Sequence, residues 1–129
     1  MRWMLLSLLM LAAITGCAVD QKYSQTELNA LQTREFDYPF DATFDATVGV
    51  LFDRGYTILT CDKRAGLLSA GNGHNASVQI KLDQAGPRRT SVRISTVYGG
   101  QARVDKDKID EFLNLIDRRL TAGPVRRGQ

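Results

Sequence analysis

The groups whose chemistry could matter most are scarce: Cys17, Cys61, His74 and two close carboxylate pairs, Asp37 with Asp41 and Asp105 with Asp107. A nucleophilic serine or cysteine needs a partnered base, and a zinc site needs three or four nitrogen or sulfur ligands. A single histidine completes neither set. His74 sits in the polar run Gly71-Asn72-Gly73-His74-Asn75 and reads as a solvated turn residue. That run, extended to Ala76, fits a G-x-G-x-x-A pattern, but a strand follows it, so no helix N-terminus would face a bound phosphate. Asp105-Lys106-Asp107 opens like a calcium loop. The loop then needs an oxygen ligand and a glycine where Ile109 and Asp110 stand. The carboxylate pairs fall at the ends of expected elements, where caps and solvation account for them. The chain is therefore expected not to be an enzyme and to hold no metal and no small-molecule cofactor.

Cys17 is different because of what precedes it. Arg2 is followed by an apolar run from Trp3 to Ile14, broken only by Ser7, and then by the small residues Thr15 and Gly16. That run is about a dozen residues, too short for a bilayer core that takes roughly 20. A plain secretory leader favours Ala-x-Ala before its cut, and Ala12-Ala13 offers part of it. Ile14-Thr15-Gly16-Cys17 instead resembles the lipobox of bacterial lipoproteins, in register directly after the apolar run. The resemblance implies a diacylglyceryl thioether on Cys17, cleavage before it and acylation of the new amine. Two or more acyl chains hold a protein stably on a membrane, at about 0.8 kcal/mol per buried CH₂. Aspartate after the cysteine favours inner-membrane retention in that family. Here Ala18 stands there, so the resemblance implies the outer membrane of a bacterial envelope, facing the periplasm. With its sulfur consumed, Cys17 leaves Cys61 alone, and Cys61 reads as a half-buried strand residue acting as a small hydrophobe.

The boundaries follow. Residues 1–16 are the leader, 17–32 the lipidated cysteine and a flexible tether, 33–122 the folded domain and 123–129 a basic tail. Ser24-Gln25-Thr26-Glu27 has capping-box spacing and Leu28 and Leu31 are three apart, yet the polar composition favours a tether there. As coil it spans roughly 20 Å and fully extended about 50 Å. The net charge is +3, or +2 once Arg2 leaves with the leader, too little to suggest nucleic acid.

Within the domain, Thr33 to Tyr38 alternates as a strand and Pro39 ends it. Asp41 is a plausible N-cap for a helix over 42–54, with Phe44, Val48, Leu51 and Phe52 at helical spacing and Gly55 as its stop. Gly49 inside it suggests close packing on a sheet. Tyr56–Cys61 and Leu67–Ala70 read as strands. Asn72-Gly73 is the clearest hairpin signal, and Ala76, Val78, Ile80 and Leu82 then alternate with polar residues. Val92, Ile94 and Thr96 alternate in a last strand, and Gly99-Gly100 breaks the pattern. A final helix over 105–120 carries Ile109, Phe112, Leu113, Ile116 and Leu120 on one stripe.

This predicts an α+β two-layer sandwich in the order β-α-β-β-β-β-α, an antiparallel sheet of about five strands with both helices on one face. The other face would carry Ser77, Gln79, Lys81, Ser91, Arg93 and Ser95. Lys81 and Arg93 are its candidate ligand residues, for anionic groups such as lipid head groups, lipopolysaccharide phosphates or an acidic partner. Arg34-Glu35-Phe36, the run Val50 to Tyr56, Ile58, Asp62 and Gly66 to Ala70 are similar to small bacterial lipoprotein domains. More distantly they resemble the domains of the BamC lipoprotein family, accessory to outer-membrane protein assembly. That resemblance implies helices packed on one side of an antiparallel sheet. The functional expectation is a membrane-anchored envelope lipoprotein with a non-catalytic interaction domain for an envelope protein. The alternative is a binder of an anionic envelope component, whether lipopolysaccharide, peptidoglycan or lipid head groups, through the open face.

Overall fold

The structure is a computed structural model that describes residues 24–123. The leader, Ile14 to Cys17 and residues 124–129 of the tail lie outside the described residues. The fold is the expected α+β sandwich, with one helix and one short strand more than the sequence pattern suggests. Its elements are α1 (Gln25–Gln32), β1 (Thr33–Phe36), α2 (Phe40–Asp53), β2 (Thr57–Asp62), β3 (Leu67–Gly71), β4 (Ala76–Gly86), β5 (Arg89–Tyr98), β6 (Gln101–Arg103) and α3 (Lys106–Ala122). The sheet is antiparallel throughout, in the order β1-β5-β4-β3-β2, with β6 paired to the far half of β5. Strands β2 to β5 form the meander, and β1 closes its far side.

The core lies between the sheet and the helices. Val78, Ile80, Leu82, Val92 and Ile94 alternate inward from β4 and β5 and meet Ile109, Phe112, Leu113 and Ile116 of α3. The α3 stripe is buried at all five expected positions. Tyr56 packs edge-on against Phe112 with ring centroids 5.3 Å apart. Gly66 leads into β3 at φ +71°, and its carbonyl accepts from the Leu82 amide at 2.8 Å. A Cβ there would lie 2.1 Å from the Leu82 carbonyl oxygen, so only glycine lets the two strands approach.

Several expectations are corrected. The stretch from Gln25 to Gln32, expected as part of the tether, is a helix. The Ser24 hydroxyl accepts from the Glu27 amide and the Glu27 carboxylate accepts from the Ser24 amide, a complete capping box. Packing of α1 against α3 and β5 supplies what its weak apolar pattern lacks. Helix α2 starts at Phe40 behind Pro39, and Asp41 lies in its first turn rather than capping it. Its buried face includes Thr43 and Thr47, whose hydroxyls donate to the Pro39 and Thr43 carbonyls at 3.0 and 2.8 Å. Satisfied internally, these hydroxyls can be buried. The face they share with Phe44, Ala46, Val50 and Leu51 leaves Phe52 64% exposed. Gly49 accommodates α3 rather than the sheet: a Cβ there would meet the Arg119 guanidinium at 2.4 Å, and that group reaches across to Asp53 at 2.6 Å. Cys61 is exposed, because β2 is the sheet edge and only Ile58 among its residues packs on the core.

Gly99 and Gly100, both at positive φ, form a two-residue turn between the paired Tyr98 and Gln101. Positive φ at both central residues is the geometry that matches strand twist, which is why the chain returns here as β6.

Candidate functional site

The inward alternation of β4 and β5 fixes what the opposite, uncovered face presents. Read across the strands, one row is Thr33, Arg93, Lys81, Leu67 and Asp62, each the direct cross-strand partner of the next. The neighbouring row is Ser95, Gln79, Ser69 and Thr60. The row beyond that is Val97, Ser77, Gly71 and Thr57, and on the other side lie Glu35, Ser91 and Asp83. Small hydroxyl side chains dominate, so the surface is shallow wherever a long side chain does not rise from it.

The two candidate cations are therefore together. Lys81 and Arg93 are directly opposed on β4 and β5. Like charges at opposed positions destabilise a sheet pair by a few tenths of a kcal/mol or more. Lys81 is partly engaged: its ammonium donates to the Ala65 carbonyl at 2.5 Å and lies 3.2 Å from an Asp83 carboxylate oxygen. Arg93 donates to the Gln32 side-chain oxygen at 3.4 Å and, among the described residues, has no carboxylate partner. Around them is a hollow of about 450 Å³ lined by Thr60, Leu67, Leu68, Ser69, Gln79, Ile80, Lys81, Arg93 and Ser95. Its only charged lining residues are the two cations.

A larger groove of about 970 Å³ runs between α2 and α3. Ala42, Ala46, Val50, Leu115 and Leu120 line it, and acids of α2 face arginines of α3 across its mouth. Arg119 and Asp53 pair across it, while Asp45 and Arg54 pair with Lys63 and Glu111 outside its lining.

The remaining candidates are dispersed. The His74 backbone amide donates to the Asn72 side chain at 2.8 Å in the β3–β4 loop. Asp37 pairs with Arg89 and Asp41 with Lys63, at 3.3 and 3.6 Å. Asp107 sits in the first turn of α3, and Asp105 caps it by accepting from the Lys108 amide at 3.1 Å. Among the described residues no group of three or more His, Cys, Asp or Glu is placed to hold a metal ion.

Asp105 also accepts a 2.6 Å hydrogen bond from the Tyr98 hydroxyl, a contact the sequence pattern does not indicate. It arises because β6 folds back along β5, bringing Asp105 beside the strand it has just left. The hydrogen bond to the carboxylate, aided by burial, pushes the Tyr98 phenol up to about 12. The same bond, with that from Lys108, holds the Asp105 carboxyl below its ordinary value. Burial likewise raises the Tyr56 phenol. These are shifts of a structural corner remote from the open-face row.

Two residues of the open face escape the sequence pattern. Leu67 and Leu59 are 44% and 67% exposed, and Leu67 lines the hollow. Leu67 opposes Lys81, and a Cβ at Gly71 would touch Leu59 at 3.7 Å, which places that leucine over β3 on the open face. The only signal is that Leu67 and Leu68 are adjacent, so one of them must point away from the core. No model of a known protein family matches the chain, and no curated protein does.

Proposed function

We propose that the chain is a bacterial envelope lipoprotein, held on the outer membrane by lipid on Cys17, whose domain is a non-catalytic periplasmic interaction module. The anchoring half rests on the lipobox resemblance of Ile14-Thr15-Gly16-Cys17. The interaction half rests on one observation: the helices cover one face of the sheet, and the other is left open with Lys81 and Arg93 directly opposed. Folding gains nothing from opposing two cations, whereas a surface that meets an oppositely charged neighbour does. A second reading takes that neighbour to be an anionic envelope component, such as lipopolysaccharide, peptidoglycan or lipid head groups. It is favoured by the hollow's charge, since both charged lining residues are cations.

Replacement of Cys17 tests the anchor. In Cys17→Ala the chain stays at precursor mass and carries no acyl chain, read by intact-mass measurement of the membrane fraction. Normal cleavage of that variant with retention on the membrane contradicts the lipobox reading.

A further inference from the structure

We propose that the hollow on the open sheet face is a phosphate site for an anionic phospholipid, with Arg93 and Lys81 on the phosphate and Leu67 against the first part of the acyl chains. The proposal rests on the second reading above and narrows it to one ligand chemistry. Four observations carry it.

The first is the opposed pair. Lys81 and Arg93 occupy facing positions where a neutral pair would serve the sheet better. A divalent or monovalent oxyanion placed between them turns that repulsion into attraction. The second is which cation is free. Lys81 is shared with Asp83 and the Ala65 carbonyl, while Arg93 has only the amide oxygen of Gln32 among the described residues. A guanidinium presents paired N–H groups at the spacing of two phosphate oxygens, so the freer of the two cations is also the better phosphate ligand. Ser95 and Gln79 stand in the adjacent row on the same two strands and can donate to the remaining oxygens.

The third observation is apolar. Phe52, Leu59 and Leu67 are the exposed large hydrophobic residues among those described, and one of them, Leu67, lines this hollow. Leu67 is the direct cross-strand partner of Lys81, so an apolar wall and a cation adjoin. A soluble phosphate or a glycan has no use for that wall; an amphiphile does. A volume of about 450 Å³ lies within the ~300–1,000 Å³ usual for small-molecule sites.

The fourth is reach. Helix α1 occupies Gln25–Gln32 and ends on the residue that accepts from Arg93. Seven residues from Ala18 to Ser24, at most ~25 Å, plus ~12 Å of helix, put Gln32 within roughly 35–40 Å of Cys17 along the chain. With lipid on Cys17, the hollow stays close to a bilayer surface.

The test uses the full chain in a nonionic detergent, with backbone amide resonances followed by NMR. The probes are dihexanoyl phosphatidylglycerol, glycerol phosphate and soluble peptidoglycan fragments. Saturable shifts at Lys81, Arg93 and Ser95 are expected with the short-chain phospholipid. Glycerol phosphate should bind about tenfold or more weakly, since it lacks the apolar part. Arg93→Gln should weaken phospholipid binding about tenfold or more, as expected for loss of a charge-assisted hydrogen bond. Leu67→Ser should weaken phospholipid but leave glycerol phosphate unchanged, a split that misfolding would not produce. Equal affinity for glycerol phosphate makes the site one for free phosphate and overturns the proposal. Phospholipid binding that Arg93→Gln leaves intact places the contact elsewhere and overturns it too. Binding of peptidoglycan fragments without phospholipid overturns the proposal while sparing the broader anionic-component reading. Binding of none of the probes removes both.

Discussion

The two faces of this sheet are built from the same strands yet answer to different demands. On the helix side, every second residue from Val78 to Leu82 in β4 and from Thr90 to Thr96 in β5 is apolar or a threonine with an internal partner, and Val92, Ile94 and Ile80 are almost wholly excluded from water. On the open side, Ser77, Gln79, Lys81 and Asp83 of β4 alternate with them, as do Ser91, Arg93, Ser95 and Val97 of β5, with the lysine and the arginine directly opposed. The dry face is determined by what it must bury. The open face is freed from that constraint, and its one arrangement that costs the fold something is the candidate for binding. An antiparallel sheet can afford this division because only one of its faces needs a covering layer.

Substitutions should separate the faces most sharply at their extremes. Phe112 is buried against Tyr56 in the middle of the helix side. Phe112→Ala should cost about 3–5 kcal/mol of stability by denaturant unfolding, from lost burial and the cavity left behind. A loss below about 1 kcal/mol would mean that this face is not a packed core.

The corner of Tyr98 and Asp105 should give an intermediate effect with a defined pH dependence. The neutral Tyr98 hydroxyl donates to Asp105, and its value is raised from 10.0 to about 12. Its contribution is therefore complete below the ordinary phenol value and is lost as pH rises through the interval from 10.0 to about 12. Asp105 has the opposite sign: its lowered value contributes stability above the ordinary carboxylate range, lost as pH falls through the folded value. Thermal melting across the alkaline interval should show a drop in the wild type that Tyr98→Phe flattens. Equal drops in both would remove Tyr98 as the cause. Asp105→Ala, which also deletes the α3 cap, should cost about 1–2 kcal/mol near neutral pH.

The smallest effect belongs to the open face. Arg93→Gln and Lys81→Gln should each leave stability within about 0.5 kcal/mol of wild type, or raise it slightly, because each relieves an opposed cation pair. A loss of more than about 1 kcal/mol in either would show that the pair supports the fold and would erase the contrast between the faces.

What the sequence makes legible tracks the same division. The α3 stripe and the alternation of β4 are visible because burial imposes strict periods of 3.6 and 2 on long runs. Helix α1 is hidden because its eight residues have little apolar pattern, and its position depends on tertiary packing as well as its cap. Phe52 is misassigned to the core because an all-apolar count of α2 overlooks Thr43 and Thr47, which can be buried once they bond back to the helix. Cys61 is misjudged because edge placement depends on strand order, which a local alternation does not carry. Lys81 and Arg93 are individually legible as outward residues. Their opposition is not, since it requires the register of β4 against β5. Leu59 is displaced by the irregular pairing between Ile58 and Thr60 in β2, and no residue type there announces it.

We propose that the open face is the one that meets a partner in the envelope. Photo-crosslinking in intact cells tests it directly, with the reactive side chain placed at Gln79 on the open face or at Asp117 on the exposed side of α3. A discrete adduct is expected from Gln79, to lipid or to an envelope protein, that is lost when Arg93→Gln is added, and none from Asp117. An adduct from Asp117 with none from Gln79 would contradict it.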